Sequence, residues 1–145
     1  MPVTGRECAR RVFLLALVTP LAADTHQELV DLLGALASAL SEGNGSAFLD
    51  HVDRATPDYS QLEQYIDALT DEDDVSCSID ILKQEGDDQK QTLQLDWVMQ
   101  IHPRTPLGQV ETRRRTVKLR LERKKKRWKI VAIEPITLFA PPLVR

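Results

Sequence analysis

Four side chains stand where they could meet a bound molecule: Trp97, Arg113, Arg115 and Glu134. What groups them is strand register. Arg113 and Arg115 continue the two-residue spacing of Val117, Leu119 and Leu121, so they share that apolar face. A two-residue turn at Lys124-Lys125 sets Leu121 opposite Trp128, Leu119 opposite Ile130 and Val117 opposite Ala132. Extended further, the same register sets Arg115 opposite Glu134, with Arg113 one pair beyond. Two chemistries fit this group. Cations beside a carboxylate on a pocket floor can grip an anionic ligand or move a proton. Alternatively, a directly opposed ion pair at the open end of a sheet contributes about 0.2–1 kcal/mol and does nothing more. The ion pair is the preferred reading, because such pairs perturb titration without catalysing anything.

Other familiar chemistries lack their residues. His26, His51 and His102 lie far apart, and no His-x-x-x-His or Cys-x-x-Cys spacing occurs, so no metal site is expected. There is no Gly-x-Ser-x-Gly elbow, and Gly43-Asn44-Gly45 reads as a turn and not as a phosphate loop. No cofactor is expected. Arg114, Lys118, Arg120, the run Arg123-Lys124-Lys125-Lys126-Arg127 and Lys129 could contact phosphates. They lack interleaved aromatics, and aromatics make up only 5% of the chain, so nucleic acid is not an expected partner. A solvated edge that discourages strand-to-strand pairing explains them better. Attraction to anionic lipid, or to the acidic half of another copy, is the intermediate reading.

The elements that must position these residues follow from periodicity. Leu29, Leu32, Leu33, Leu36, Ala37 and Leu40 recur at three- and four-residue steps, predicting an amphipathic helix that Asp24 or Thr25 caps and Gly43 ends. Ser46 opens a short helix through Val52, and Thr56-Pro57 stops it. Asp58 or Ser60 opens a third, with Leu62, Tyr65, Ile66 and Leu69 inward, and Asp71 to Asp74 form a solvated link. The period then switches from 3.6 to 2. Val75 to Ile81, Leu93 to Ile101, Val117 to Leu121 and Trp128 to Leu138 read as four strands. A turn at Gly86-Asp87-Asp88 pairs Ile81 with Leu93, Ile79 with Leu95 and Cys77 with Trp97. One sheet face is therefore apolar and must be covered by the helical stripe.

The length of 145 residues suits one domain. Residues 1–23 have the parts of a secretory leader: Arg6, Arg10 and Arg11, an apolar run from Val12 to Val18, and an end at Ala22-Ala23. Arg10-Arg11-Val12-Phe13-Leu14 also resembles a twin-arginine export signal. The apolar run is shorter than the roughly 20 residues a bilayer span needs. Export is therefore expected, with membrane contact only through the leader and a mature domain over 24–145. Without the leader Cys8 is gone, leaving Cys77 as a small core residue with no disulfide partner. The mature chain holds 16 bases and 21 acids, unevenly placed. Residues 24–100 carry 18 acids and three bases, whereas residues 101–145 carry 13 bases and three acids. Such a split favours association between unlike faces.

Helices followed by four long antiparallel strands resemble the nuclear transport factor 2-like superfamily, which includes ketosteroid isomerase, scytalone dehydratase and polyketide-cyclase-like domains. The resemblance covers roughly residues 25–140. It rests on Glu28–Leu40 as the long first helix, Gln89–His102 as an extended strand, and Arg127–Leu138 as a last strand with its Trp-Lys-Ile start. It implies an α+β fold in which N-terminal helices pack on a curved four-stranded antiparallel sheet, forming a cone with a pocket, and a homodimer through the sheet. The Tyr or Asp dyad of the family's enzymes has no match here, so no catalytic residue is carried over. Two functions remain open on these grounds. One is a non-enzymatic domain that binds a small apolar or anionic ligand or another protein. The other is a small isomerase or cyclase-dehydratase-type enzyme with Glu134 as acid or base.

Overall fold

The computed structural model describes residues 13–142, with side chains from residue 24 onward. The basic start of the expected leader lies outside the described residues. The chain divides into two compact units, residues 1–31 and 32–145. In the first unit, the described residues belong to helix α1 (Phe13–Ser41), where Thr25 and Leu29 are buried and Gln27 Nε2 donates to Asp31 Oδ1 at 2.9 Å. Helix α1 runs through Asp24 and Thr25, so neither caps its start, contrary to the expectation from periodicity. Among the described residues, no helix is long and apolar enough to cross a membrane.

The second unit holds the rest of α1, then α2 (Gly45–Leu49), α3 (Tyr59–Glu72), and strands β1 (Asp73–Gly86), β2 (Lys90–Pro103), β3 (Glu111–Lys124) and β4 (Arg127–Glu134). A 3-10 turn at Ile136–Phe139 follows. The sheet is antiparallel, curved, and ordered β1-β2-β3-β4. Asn44 starts α2 by accepting the Ala47 amide on its side chain at 3.1 Å. Asp58 stands before α3 in the left-handed region and makes no side-chain cap. No solvated link separates helix from sheet: α3 ends at Glu72, and Asp73 is the buried first residue of β1.

Both hairpin registers differ from expectation, the first by two residues from Ile81 back along β1, the second by two at Leu121 and by three beyond its bulge. Ile79 faces Trp97 and Ile81 faces Leu95, because the first turn is Asp87 to Gln89 and Leu82 is an extra, bulged residue. A two-residue offset keeps side chains on their face, so the apolar surface survives. In the second hairpin the turn is Lys125-Lys126, and Leu121 faces Ile130. Val131 is bulged there, which reverses the alternation beyond it: Ile133 turns inward, and Glu134 turns outward opposite Lys118. Strand β4 stops at Glu134 and does not continue to Leu138, since Pro135 has no N–H for the ladder. Lys125 and Lys126 both adopt positive φ, 51° and 69°, as a two-residue hairpin turn requires. Lysine is a poor residue for that conformation, which costs a side-chain-bearing residue roughly 1–2 kcal/mol.

The inner face carries Leu93, Leu95, Trp97, Met99 and Ile101 of β2 with Val117, Leu119 and Leu121 of β3, all essentially inaccessible. Helix α3 contacts β1, α2 and the 3-10 turn, and Leu62, Ile66 and Leu69 are buried on it. Phe139 stands edge-on to Trp97 at 5.2 Å and to Phe48 at 5.5 Å, joining sheet, C-terminal segment and α2 in one aromatic stack. The interior is filled. Trp128 is buried near the hairpin tip, with the Arg123 guanidinium 4.5 Å above its ring. The outer face carries Ser76, Ser78, Asp80, Gln94, Gln100, Thr112, Arg114 and Thr116, a polar surface interrupted by Val98.

Candidate functional site

A groove of about 910 Å³ opens at the start of β3. One wall is the loop Leu107 to Val110, the floor is Glu111, Arg113 and Arg115, and the opposite wall is Thr137, Ala140 and Pro141 of the C-terminal segment. Leu107 is 93% exposed and Val110 55% exposed, so apolar surface meets water along one side. Arg115 is exposed too. Its place on β3 opposite Trp97 gives it the inward side of the strand, yet its guanidinium reaches the surface and donates to the Arg114 carbonyl at 2.9 Å.

Arg104, which no motif or spacing marks, holds the loop wall. Its guanidinium donates to Asp74 Oδ1 at 3.0 Å and to the carbonyls of Asp71 at 2.9 Å and of Thr70 and Asp73 at 3.3 Å. Those carbonyls belong to the end of α3 and the first residue of β1, where helical partners run out. One side chain thus caps a helix and anchors the loop that follows β2. The loop then closes tightly: a Cβ on Gly108 would lie 2.4 Å from the Pro103 Cβ, so only glycine fits.

Arg113 is buried and holds the other wall. Its Nε donates to Glu111 Oε2 at 2.6 Å, while Nη1 donates to the carbonyls of Leu138 at 2.7 Å and Ala140 at 2.5 Å. A planar fork of donors suits this task, since one group can serve acceptors in several directions. The Arg113 hydrogen bond holds the Glu111 carboxyl below the usual carboxylate range, against the smaller opposing effect of burial. Asp96 is also held low, by Arg114 Nε and Nη2 at 3.0 and 2.8 Å. These carboxylates are stabilised in their charged forms, the reverse of what a general acid needs at neutral pH.

Of the four residues singled out by spacing, two line the groove: Arg113 as a wall support and Arg115 as an accessible cation. Trp97 lies in the closed interior and does not line the groove. Its indole Nε1 meets no oxygen or nitrogen acceptor, and the Cys77 sulfur, a weak acceptor, lies beside it. Burial pushes the Cys77 thiol up to about 11, opposed by the Trp97 contact, so the sulfur stays protonated at neutral pH. Glu134 is exposed on the outer face and does not meet Arg115. The Val131 bulge is the physical reason. Among the described residues no cluster of His, Cys, Asp or Glu could hold a metal ion.

No protein-family model and no curated protein sequence matches the chain. Its backbone does match solved structures. A conserved protein from Planctomyces limnophilus superposes with a TM-score of 0.69 at 9% identity, covering 77% of this chain and 94% of that one. A scytalone dehydratase-like protein from Novosphingobium aromaticivorans gives 0.71 at 5% identity over 79% and 85%. A nuclear transport factor 2-like superfamily protein from Salmonella enterica gives 0.64 at 11% identity over 77% and 89%. At such identities the likeness concerns the fold alone.

Proposed function

Because the chain has the nuclear transport factor 2-like fold, we propose that it is an exported, non-enzymatic domain whose open groove binds a small amphipathic anion. The observation that carries this reading is the filled interior. Trp97, Met99, Phe139 and Phe48 occupy the space between sheet and helices, and the groove of about 910 Å³ lies at the surface. The groove offers one accessible guanidinium beside exposed Leu107 and Val110, a pairing that suits an anionic head and a short apolar tail. Fold likeness to a dehydratase-like protein does not bring its chemistry here, because function resides in sites and not in folds. Glu134, the carboxylate with which a proton-transfer reading began, faces away from the groove.

Anilinonaphthalene sulfonate is a suitable probe, having one anion and an apolar body. Wild-type protein is expected to enhance its fluorescence at a single site. Arg115→Ala should weaken binding by about tenfold, the value of losing one charge-assisted contact of about 1.4 kcal/mol. Equal binding by both proteins would remove the groove from this proposal.

Export rests on residues 1–23, the segment with the composition of a leader. Sequencing the N-terminus of exported protein should read from Asp24, within the span that α1 covers in the uncleaved chain. Retention of the whole chain inside the producing cell would rule the leader out.

A further inference from the structure

We infer that the tip of the β3–β4 hairpin docks on helix α3 of a second copy of this chain. The inference is independent of the groove and goes beyond the binding function proposed for it.

The hairpin's cations fall into two sets. Arg113, Arg114 and Lys124 are engaged by Glu111, Asp96 and Asp53, Lys129 donates to the Asp50 carbonyl, and Arg123 lies over Trp128. Arg115, Lys118, Arg120, Lys125, Lys126 and Arg127 are exposed, none of the ion pairs among the described residues uses them, and the last four lie in the half of the hairpin nearer the turn. Lys125 and Lys126 occupy the two positive-φ positions of the turn, where Asn-Gly would be the favoured pair. Cationic side chains stand there despite the backbone's preference. The tip is a concentrated, unneutralised positive surface on a chain whose formal net charge is −3.

A complementary surface exists on the same molecule. On α3, Glu63, Asp67 and Asp71 recur every four residues and are all exposed. They form one stripe about 12 Å long at 1.5 Å per residue. Like charges at that spacing disfavour a helix. No ion pair among the described residues joins this stripe to the hairpin tip. Three carboxylates and four cations are neutralised together when the tip of one copy meets α3 of the next. The outer sheet face offers no comparable driving force, being polar and without a broad apolar patch. Because the two surfaces differ, the contact is heterologous. It therefore builds a ring or a chain of copies, or a reciprocal pair if both contacts form at once.

Sedimentation velocity on the full chain tests this. Association is expected at about 20 mM salt and should weaken about tenfold by about 300 mM, as screening shortens below about 10 Å. Two charge-reversed proteins separate the surfaces: Arg120→Glu with Lys125→Glu and Lys126→Glu, and Glu63→Lys with Asp67→Lys and Asp71→Lys. Each alone should sediment as a monomer with a wild-type circular dichroism spectrum. Mixed, they should associate again, because the acidic hairpin of one now fits the basic helix of the other. A mixture that stays monomeric, reversed proteins that associate like the wild type, or a wild-type monomer at low salt overturns the inference. A wild-type monomer retained by phosphatidylglycerol vesicles would assign the tip to a membrane surface instead.

Discussion

Trp97→Ala is expected to lower the unfolding free energy by about 3–5 kcal/mol, the largest effect of any single truncation in this domain. Trp97 is the largest fully buried side chain, and it stands against Phe139 from the C-terminal segment while sharing its face with Leu95, Met99 and Val117. Removing the indole empties volume that three different elements enclose, so local relaxation cannot refill it cheaply. Domains of this kind have a total stability of about 5–15 kcal/mol, and the change removes a large part of it. Urea unfolding followed by circular dichroism is the measurement. The midpoint should fall with little change in slope. Trp128→Ala should cost less, because that ring sits near the hairpin tip under Arg123 and retains 6% exposure. A loss below about 1 kcal/mol for Trp97→Ala would mean that the interior is not packed as described.

The second large effect belongs to Arg113→Met, expected to destabilise by about 2–4 kcal/mol. The substitution keeps much of the apolar stem but leaves the carbonyls of Leu138 and Ala140 without their donor, and each orphaned buried acceptor costs about 1–3 kcal/mol. Lysine should restore little, since a single ammonium cannot serve Glu111 and two carbonyls with the geometry of a guanidinium fork. The loss has a local signature that a general loss of packing lacks. Amides over residues 136–142 should exchange faster than those of β2 under native conditions. Anilinonaphthalene sulfonate binding should fall with them, because the same segment walls the groove. Uniform exchange rates in wild type and Arg113→Met would contradict the hold of Arg113 on the Leu138 and Ala140 carbonyls.

How far the sequence reveals such features depends on the physics each one uses. Apolar alternation in β2 and the 3.6-residue stripe of α3 are local and repeated, and both placed the inner face correctly. Register was harder to read. It depends on which residues form a turn and whether a strand bulges, and neither Leu82 nor Val131 differs in type from an ordinary strand residue. A two-residue offset passes unnoticed in an alternating pattern, which is why Trp97 was correctly turned inward although paired with the wrong neighbour. Glu134 had no such protection, because the bulge before it changes its side. Arg113 and Arg115 were legible as inward positions, but spacing alone could not distinguish the guanidinium that is tied down from the one that is free. Arg104 was invisible for another reason. Its partners lie 30 to 34 residues earlier in the chain, and nothing nearby marks a side chain that reaches so far back.

The two bulges sit on the two outermost strands, whereas the ladder between β2 and β3 runs without interruption. Side-chain phase is therefore set in the middle of the sheet, and each margin holds one spare residue that can be absorbed or released. A single-residue deletion at Leu82 or Val131 shortens an edge yet lets the flanking residues find partners again. The same deletion in β2 turns half of its apolar row toward water. Over generations of lineage divergence, the lengths of the margins can drift while the central pair must keep its count.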